Sequence, residues 1–212
     1  MQKAKFQIYE CSHPDCCLRF PLDPRTHRGS YCPRCGAPIT LAAQIFENQF
    51  YSAPRKNKPS GVSGLLDNIH SSFNVGAAFR TADGAGLKQL YLCGITPRPD
   101  ENPQIAKTAL GAQQTVPWCY FPNALDLIKE LKKDGARLIA LEYHPQAIPY
   151  HDYTLEQADQ TILITGGELA GVDPGLLALC ETILYIPMWG EKESLNASVA
   201  FGIAAYWLKR NF

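Results

Sequence analysis

The chain has no surplus charge of either sign, since 20 basic and 20 acidic side chains cancel across its 212 residues. That balance excludes a global field that would announce a polyanionic partner, so any nucleic-acid contact has to come from local patches. Residues 1–11 contain no apolar core of the kind a secretory signal needs. No apolar run reaches bilayer length; the nearest, at residues 199–208, reads as a buried helix. The expectation is a soluble, cytoplasmic protein. No Gly-x-Gly-x-x-Gly follows a strand signal, and no Gly-x-x-x-x-Gly-Lys-Ser/Thr occurs, so dinucleotide and phosphate-loop chemistry have no support. The length suffices for one good core, or one domain with a small appendage.

Cysteine, by contrast, is present and unevenly placed. Five of the eight fall within residues 11–35, while Cys93, Cys119 and Cys180 sit singly in apolar segments and read as small buried hydrophobes. The cluster runs Cys11-x4-Cys16, fifteen residues, then Cys32-Pro-Arg-Cys35-Gly36. Two such knuckles facing each other supply four sulfurs to a tetrahedral metal, as structural zinc requires. Cys11, Cys16, Cys32 and Cys35 are therefore the expected ligands of a zinc ribbon over residues 1–45. Cys17 competes with Cys16, and Cys16 is preferred because its spacing closes a loop on Pro14-Asp15. His13 and His27 are possible substitutes, a disulfide pair is the bland alternative, and bound iron is a further one, which would make the protein an electron carrier. Arg19, Arg25, Arg28 and Arg34, with Phe20 and Tyr31, offer either a basic aromatic surface for RNA or an ordinary solvated face. Residues 46–60 read as a linker, on the polar, basic and proline-bounded stretch at 52–60.

From residue 61 onward strand and helix signals alternate. Strands are predicted at 62–66, 89–93, 115–121, 137–141, 161–165 and 182–186. A helix with Val75, Ala78, Phe79 and Ala82 on one face is stopped by Gly84 and Gly86. A second, capped by Asn123, buries Leu125, Ile128 and Leu131, and a closing helix spans 194–210. Continuous apolar strands at 137–141 and 161–165 belong in the middle of a parallel sheet. The fold class read from this pattern is α/β, a largely parallel sheet covered by helices on both faces.

Three polar, glycine-bearing islands interrupt this apolar background, at residues 68–86, 165–171 and 186–200. The last is Ile186-Pro-Met-Trp-Gly-Glu-Lys-Glu-Ser-Leu-Asn-Ala-Ser-Val-Ala200, a loop leading to a helix opened by Ser194 and Asn196. Free N–H groups at a helix start favour oxygen-rich or anionic ligands, although Ser and Asn are also ordinary caps. All three islands follow strands, where open α/β sheets bind ligands, so they are expected to form one composite site.

Asn74-x-Gly76-x-x-x-Arg80, Gly167-Glu168-x-x-Gly171 and Ile186-Pro-Met-x-Gly-x-x-x-Ser194-Leu-Asn196-x-Ser198 resemble, in order and spacing, the three motifs of the SpoU (TrmH) branch of the SPOUT RNA methyltransferases. Lys107-Thr-Ala-Leu-Gly111-Ala112 and Val116-Pro-Trp118 extend the similarity, which covers about residues 61–210. Gly167 stands where that family often has Asn, and Ala197 where it often has Val; neither change removes a reactive group. The resemblance implies methyl transfer from S-adenosylmethionine to a ribose 2′-hydroxyl of tRNA or rRNA, a C-terminal trefoil knot and a homodimer. It implies a cofactor pocket at Leu141, Gly166, Ile186 and Leu195 with Ser194 nearby, and a catalytic cluster of Asn74, Arg80, Glu168, Ser194 and Asn196. Arg80 is the family's candidate base. A guanidinium resists deprotonation, however, and is better suited to holding the phosphate beside the reacting ribose, with Glu168 fixing its position. The alternative is a non-catalytic RNA-binding protein that keeps the fold. The basic residues Arg55, Lys56 and Lys58, doubled in a dimer, are expected to contribute to RNA binding.

Overall fold

The computed structural model of the chain describes residues 6–25, 30–44, 61–155 and 160–210. The linker expectation, and with it Arg55, Lys56 and Lys58, falls outside these residues, as do His27 and Arg28. The chain divides into two compact units, residues 1–56 and 57–212.

The first unit is a three-stranded antiparallel sheet in the order β2-β1-β3, built from β1 (Gln7–Cys11), β2 (Arg19–Leu22) and β3 (Ile39–Gln44). Among its described residues, those buried are Cys11, Leu22, Asp23 and Cys32. So small a core cannot hold a fold by apolar burial alone.

The second unit contains β4 (Val62–Asp67), α1 (Ser72–Ala85), β5 (Leu90–Cys93), α2 (Ile105–Ala109), α3 (Ala112–Thr115), β6 (Trp118–Phe121), α4 (Ala124–Lys133), β7 (Arg137–Leu141), β8 (Ile148–Pro149), β9 (Thr161–Thr165), α5 (Pro174–Leu177), β10 (Thr182–Tyr185) and α6 (Ala197–Lys209). Its seven strands pair in parallel throughout, in the order β6-β5-β4-β9-β7-β10-β8. Side chains alternate between two cores, as strand geometry demands. Val62, Leu66, Leu90 and Leu92 pack on one face with α1, α2 and α6, through Val75, Phe79, Ile105, Phe201 and Leu208. Leu65, Tyr91, Cys93 and Ile164 pack on the other face with α4 and α5, through Leu127, Ile128 and Leu176. Both central strands, β9 and β7, are the continuous apolar runs singled out above.

Several boundaries differ from the pattern-based expectation. Residues 112–115 are helical, and the strand begins only at Trp118. Gly84 lies inside α1, where a Cβ would come 2.7 Å from the Tyr206 hydroxyl, and the left-handed turn that ends the helix is made two residues later at Gly86. The buried face of α4 is Ala124, Leu127 and Ile128, with Leu125 and Leu131 at its margin. The closing helix starts at Ala197 with Asn196 as its cap, so Ser194 is a loop residue. Within motif one, Gly76 is required by packing: a Cβ there would sit 2.3 Å from the Ile105 carbonyl oxygen and closer still to the Thr108 hydroxyl on α2. Among the described residues no helix is long and apolar enough to cross a membrane.

Candidate functional site

The strands β7, β9 and β10 end at Leu141, Thr165 and Tyr185, and a cavity of about 550 Å³ opens beyond those ends. That volume lies within the range of small-molecule sites. One wall is a hairpin of residues 166–171 closed by a Gly167–Gly171 bridge, in which the Gly171 N–H donates to the Gly167 carbonyl at 2.9 Å. The hairpin needs glycine at 166, where a Cβ would lie 2.1 Å from Gly171 backbone atoms. The facing wall is the segment from Ile186 to Asn196 that leads into α6. All five expected cofactor residues (Leu141, Gly166, Ile186, Ser194 and Leu195) line this space, together with Glu168 and Asn196.

At the rim the three islands are joined by hydrogen bonds. The Asn196 Nδ2 donates to Asn74 Oδ1 at 3.0 Å, and the Asn74 Nδ2 donates to Glu168 Oε1 at 2.6 Å. Asn196 Oδ1 meanwhile accepts from the Ser198 N–H and hydroxyl at 3.0 and 2.7 Å, so the helix cap also sets the asparagine's orientation. Glu168 accepts from the backbone N–H of His70 at 2.9 Å and of Ser71 at 3.3 Å. Partial burial disfavours the charged Glu168 carboxylate. Donation from His70, from its own N–H, from Asn74 and from Ser71 outweighs it and holds the pKa below the usual glutamate value.

Within the chain, Glu168 accepts from Asn74 and the 70–71 backbone, and no bond from Arg80 to it is found among the described residues. The arginine sits on the exposed side of α1, seven residues from Phe73 and so on the same stripe, and it is not part of the cavity wall. Ser194 lines the cavity but makes no hydrogen bond in the network at the rim. Sequence reasoning passed over Glu142, Tyr143, Thr165, Tyr185, Met188 and Glu193, which also line the cavity. Their position just at or beyond a strand's carboxyl end was the available signal for the first four.

A pH test follows from Glu168. A carboxyl whose folded pKa is depressed contributes stability above its unfolded value, about 4.3, and that contribution is lost as pH falls through the folded value. Glu168→Gln is therefore expected to lower the melting temperature at pH 7 and to narrow the gap between variant and wild type in acid. Melting curves at neutral pH and near pH 3 check this, and a constant gap across the range would contradict it.

In the first unit, the sulfurs of Cys11, Cys16, Cys32 and Cys35 all lie within 4.8 Å of one another. Cys11 and Cys35 are 3.4 Å apart, and Cys16 and Cys32 3.8 Å. Metal–sulfur bonds of about 2.3 Å in a tetrahedron put the sulfurs roughly 3.8 Å apart, so this donor set fits zinc. The separations exceed disulfide bonding, and all eight cysteines are free. Cys17 is excluded from the cluster because its thiol turns away to donate to the Pro14 carbonyl at 2.9 Å. Burial opposes ionisation of Cys32. N–H donation from Cys35 and Arg34, and contact with Cys11 and Cys16, prevail and bring its pKa down to about 7. Cys11, where burial dominates, is pushed up to about 12. Arg19 and Arg25, considered above for RNA, pair with Glu10 and Asp23 at 2.9 Å.

A parallel sheet with a hairpin and a post-strand loop enclosing a cavity at its carboxyl edge defines an α/β ligand-binding domain. The chain belongs to the SpoU rRNA methylase family, whose model matches residues 62–206. It is 34% identical over 145 residues to the 23S rRNA (guanosine(2553)-2′-O)-methyltransferase RlmP of Bacillus subtilis, covering 68% of this chain and 56% of that protein. To the tRNA (guanosine(18)-2′-O)-methyltransferase of Borreliella burgdorferi it is 29% identical, covering 68% and 64%. Against these relatives the chain thus spans between half and two thirds of their length. The structure of the A. aeolicus TrmH/SpoU tRNA modifying enzyme superposes with a TM-score of 0.64 at 26% identity, over 74% of this chain and 77% of that one. An AdoMet-bound rRNA methyltransferase from Sinorhizobium meliloti shares the fold, with a TM-score of 0.65 at 24% identity over 81% and 63%.

Proposed function

We propose that this chain transfers a methyl group from S-adenosylmethionine to a ribose 2′-hydroxyl of tRNA or rRNA, as a homodimer with a zinc-bound ribbon. The observation that carries the reading is the Asn196–Asn74–Glu168 chain of hydrogen bonds at the rim of the cavity beyond the strand ends. Methyl transfer needs alignment more than activation, because the bound sulfonium already supplies an electrophilic methyl. Glu168 anchors Asn74, and Asn196 fixes its other end. Asn74 still has an amide hydrogen and a lone pair for orienting a hydroxyl at the rim. Carboxylates at Glu142, Glu168 and Glu193, with no Lys, Arg or His among the described residues of the cavity wall, suit a cationic cofactor. Arg80 holds the phosphate beside the reacting ribose through parallel N–H donors.

Because Arg80 stands outside its own chain's cavity, a second chain is the natural source of the arginine at each site. Support comes from α6, where Val199, Gly202, Ile203 and Tyr206 form an apolar stripe at helical spacing. Val199 and Tyr206 are half-exposed on it, and Phe73 is equally exposed on α1. These two helices pack together, Gly202 against Thr81 and Gly84 against the Tyr206 hydroxyl. Light scattering is expected to give a dimer. Mixing Arg80→Ala chains with chains carrying a bulky residue at Gly166 should recover activity in the mixed dimers, and a fully active monomer overturns the shared site. The C-terminal trefoil knot is part of the same reading: after the edgeward β10 the chain returns through the cavity wall, and α6 packs back across β4 and β9.

Mass spectrometry of nucleosides, from RNA of cells with and without the gene, tests the activity and names the RNA. Loss of one 2′-O-methylnucleoside is the expected result. Unchanged modification, together with failure of purified protein to bind S-adenosylmethionine, defeats the proposal.

A further inference from the structure

Glu142, the residue just beyond β7, spans the gap between two parts of the cavity wall. Its Oε2 accepts from the Val172 N–H at 2.9 Å, and its Oε1 accepts from the Tyr143 N–H at 2.8 Å. The contact with the hairpin is close: a Cβ on Gly171 would come within 3.1 Å of the Glu142 carboxyl carbon. Its own N–H is held by the Leu184 carbonyl on β10 at 2.9 Å, so the residue starts from a fixed point in the sheet. Val172, at the far end, is buried in the core beneath α4 and α5. One residue thus connects the ends of β7 and β10 to the glycine hairpin, and brings a carboxylate to a cavity with no cationic side chain among the described residues of its wall.

We propose that Glu142 is a cofactor-positioning residue with two effects, latching the hairpin across the cavity and making the cavity prefer the sulfonium-bearing donor over its spent product. The inference rests on the methyltransferase reading above. S-Adenosylmethionine and S-adenosylhomocysteine differ by one methyl and one positive charge. A carboxylate in the partly buried wall interacts with that charge across a medium far less polarisable than water. Both of its oxygens keep a lone pair after accepting the two backbone N–H groups, so the latch does not consume the charge. The consequence is functional: loss of the methyl removes the charge that the wall favours, and the product leaves more readily than the donor.

Titration calorimetry with both compounds on wild type, Glu142→Gln and Glu142→Asp separates the two effects. Glutamine keeps the reach but not the charge, and offers an N–H₂ group where one backbone donor must be met. It is expected to weaken S-adenosylmethionine about tenfold and S-adenosylhomocysteine about threefold, eroding the preference. Aspartate keeps the charge but is one methylene short of the hairpin. It is expected to weaken both compounds while leaving their ratio near wild type, with faster amide exchange at Val172. If Glu142→Gln leaves the ratio of the two affinities at the wild-type value, the proposal is overturned while the methyltransferase reading stands. A wild-type chain that binds neither compound overturns both. Circular dichroism melts of each variant establish that a folded protein is being titrated.

Discussion

Replacing Arg80 by alanine is expected to abolish methyl transfer while leaving the cofactor bound. The guanidinium is exposed on α1, outside the cavity and outside the Asn196–Asn74–Glu168 network, so its loss disturbs neither the cofactor walls nor the core. Losing one well-placed charged donor in a transition state typically costs ~10²–10³-fold in rate. Calorimetry with S-adenosylmethionine should therefore be unchanged, whereas tritium transfer to RNA falls by that factor. Lysine at the same position restores charge without the planar fork, and is expected to recover only a fraction of the activity. Equal loss of cofactor binding and transfer in Arg80→Ala would make the residue structural and defeat the phosphate-anchor role.

The second large effect is on the ribbon. Cys32→Ser is expected to remove zinc from the protein and to unfold the first unit, while the α/β unit keeps its melting transition. The physical reason is the shortage of core: with so few buried side chains among the described residues, the proposed zinc would supply the folding energy, worth roughly 10–16 kcal/mol in isolated zinc modules. Cys17→Ser is the matched control, since that thiol points to the Pro14 carbonyl and stands outside the four-sulfur cluster. Elemental analysis should find one zinc per chain in wild type and Cys17→Ser, and essentially none in Cys32→Ser. Amide exchange should show the loss of protection confined to residues 6–44. Full zinc occupancy in Cys16→Ser would reverse the ligand assignment, and iron in place of zinc would identify a different centre.

Spacing and periodicity alone determined a good deal of this protein. The two cysteine knuckles are local turns, so the grouping of Cys11, Cys16, Cys32 and Cys35 is legible from their spacing. The central strands at 137–141 and 161–165 are legible because a run that is apolar at nearly every residue has both faces covered. The three glycine-bearing islands are legible because glycine and short polar side chains have few other reasons to interrupt apolar strands. The tertiary structure decided what those local rules do not reach. Cys16 was separated from Cys17 only by the direction each side chain takes after the turn at Pro14-Asp15. The Glu168–Asn74 bond was decided in the same way, because it joins residues 94 apart in sequence and depends on how the hairpin after β9 lies against the start of α1. Ser194 left the helix because the Asn196 side chain caps it first. Glu142 lay outside every motif, since an acid after a strand looks like a solvated turn until the Gly171–Val172 backbone is folded against it. Strand order β9-β7-β10 could not be read from alternation, because parallel strands joined through helices carry no local record of their neighbours.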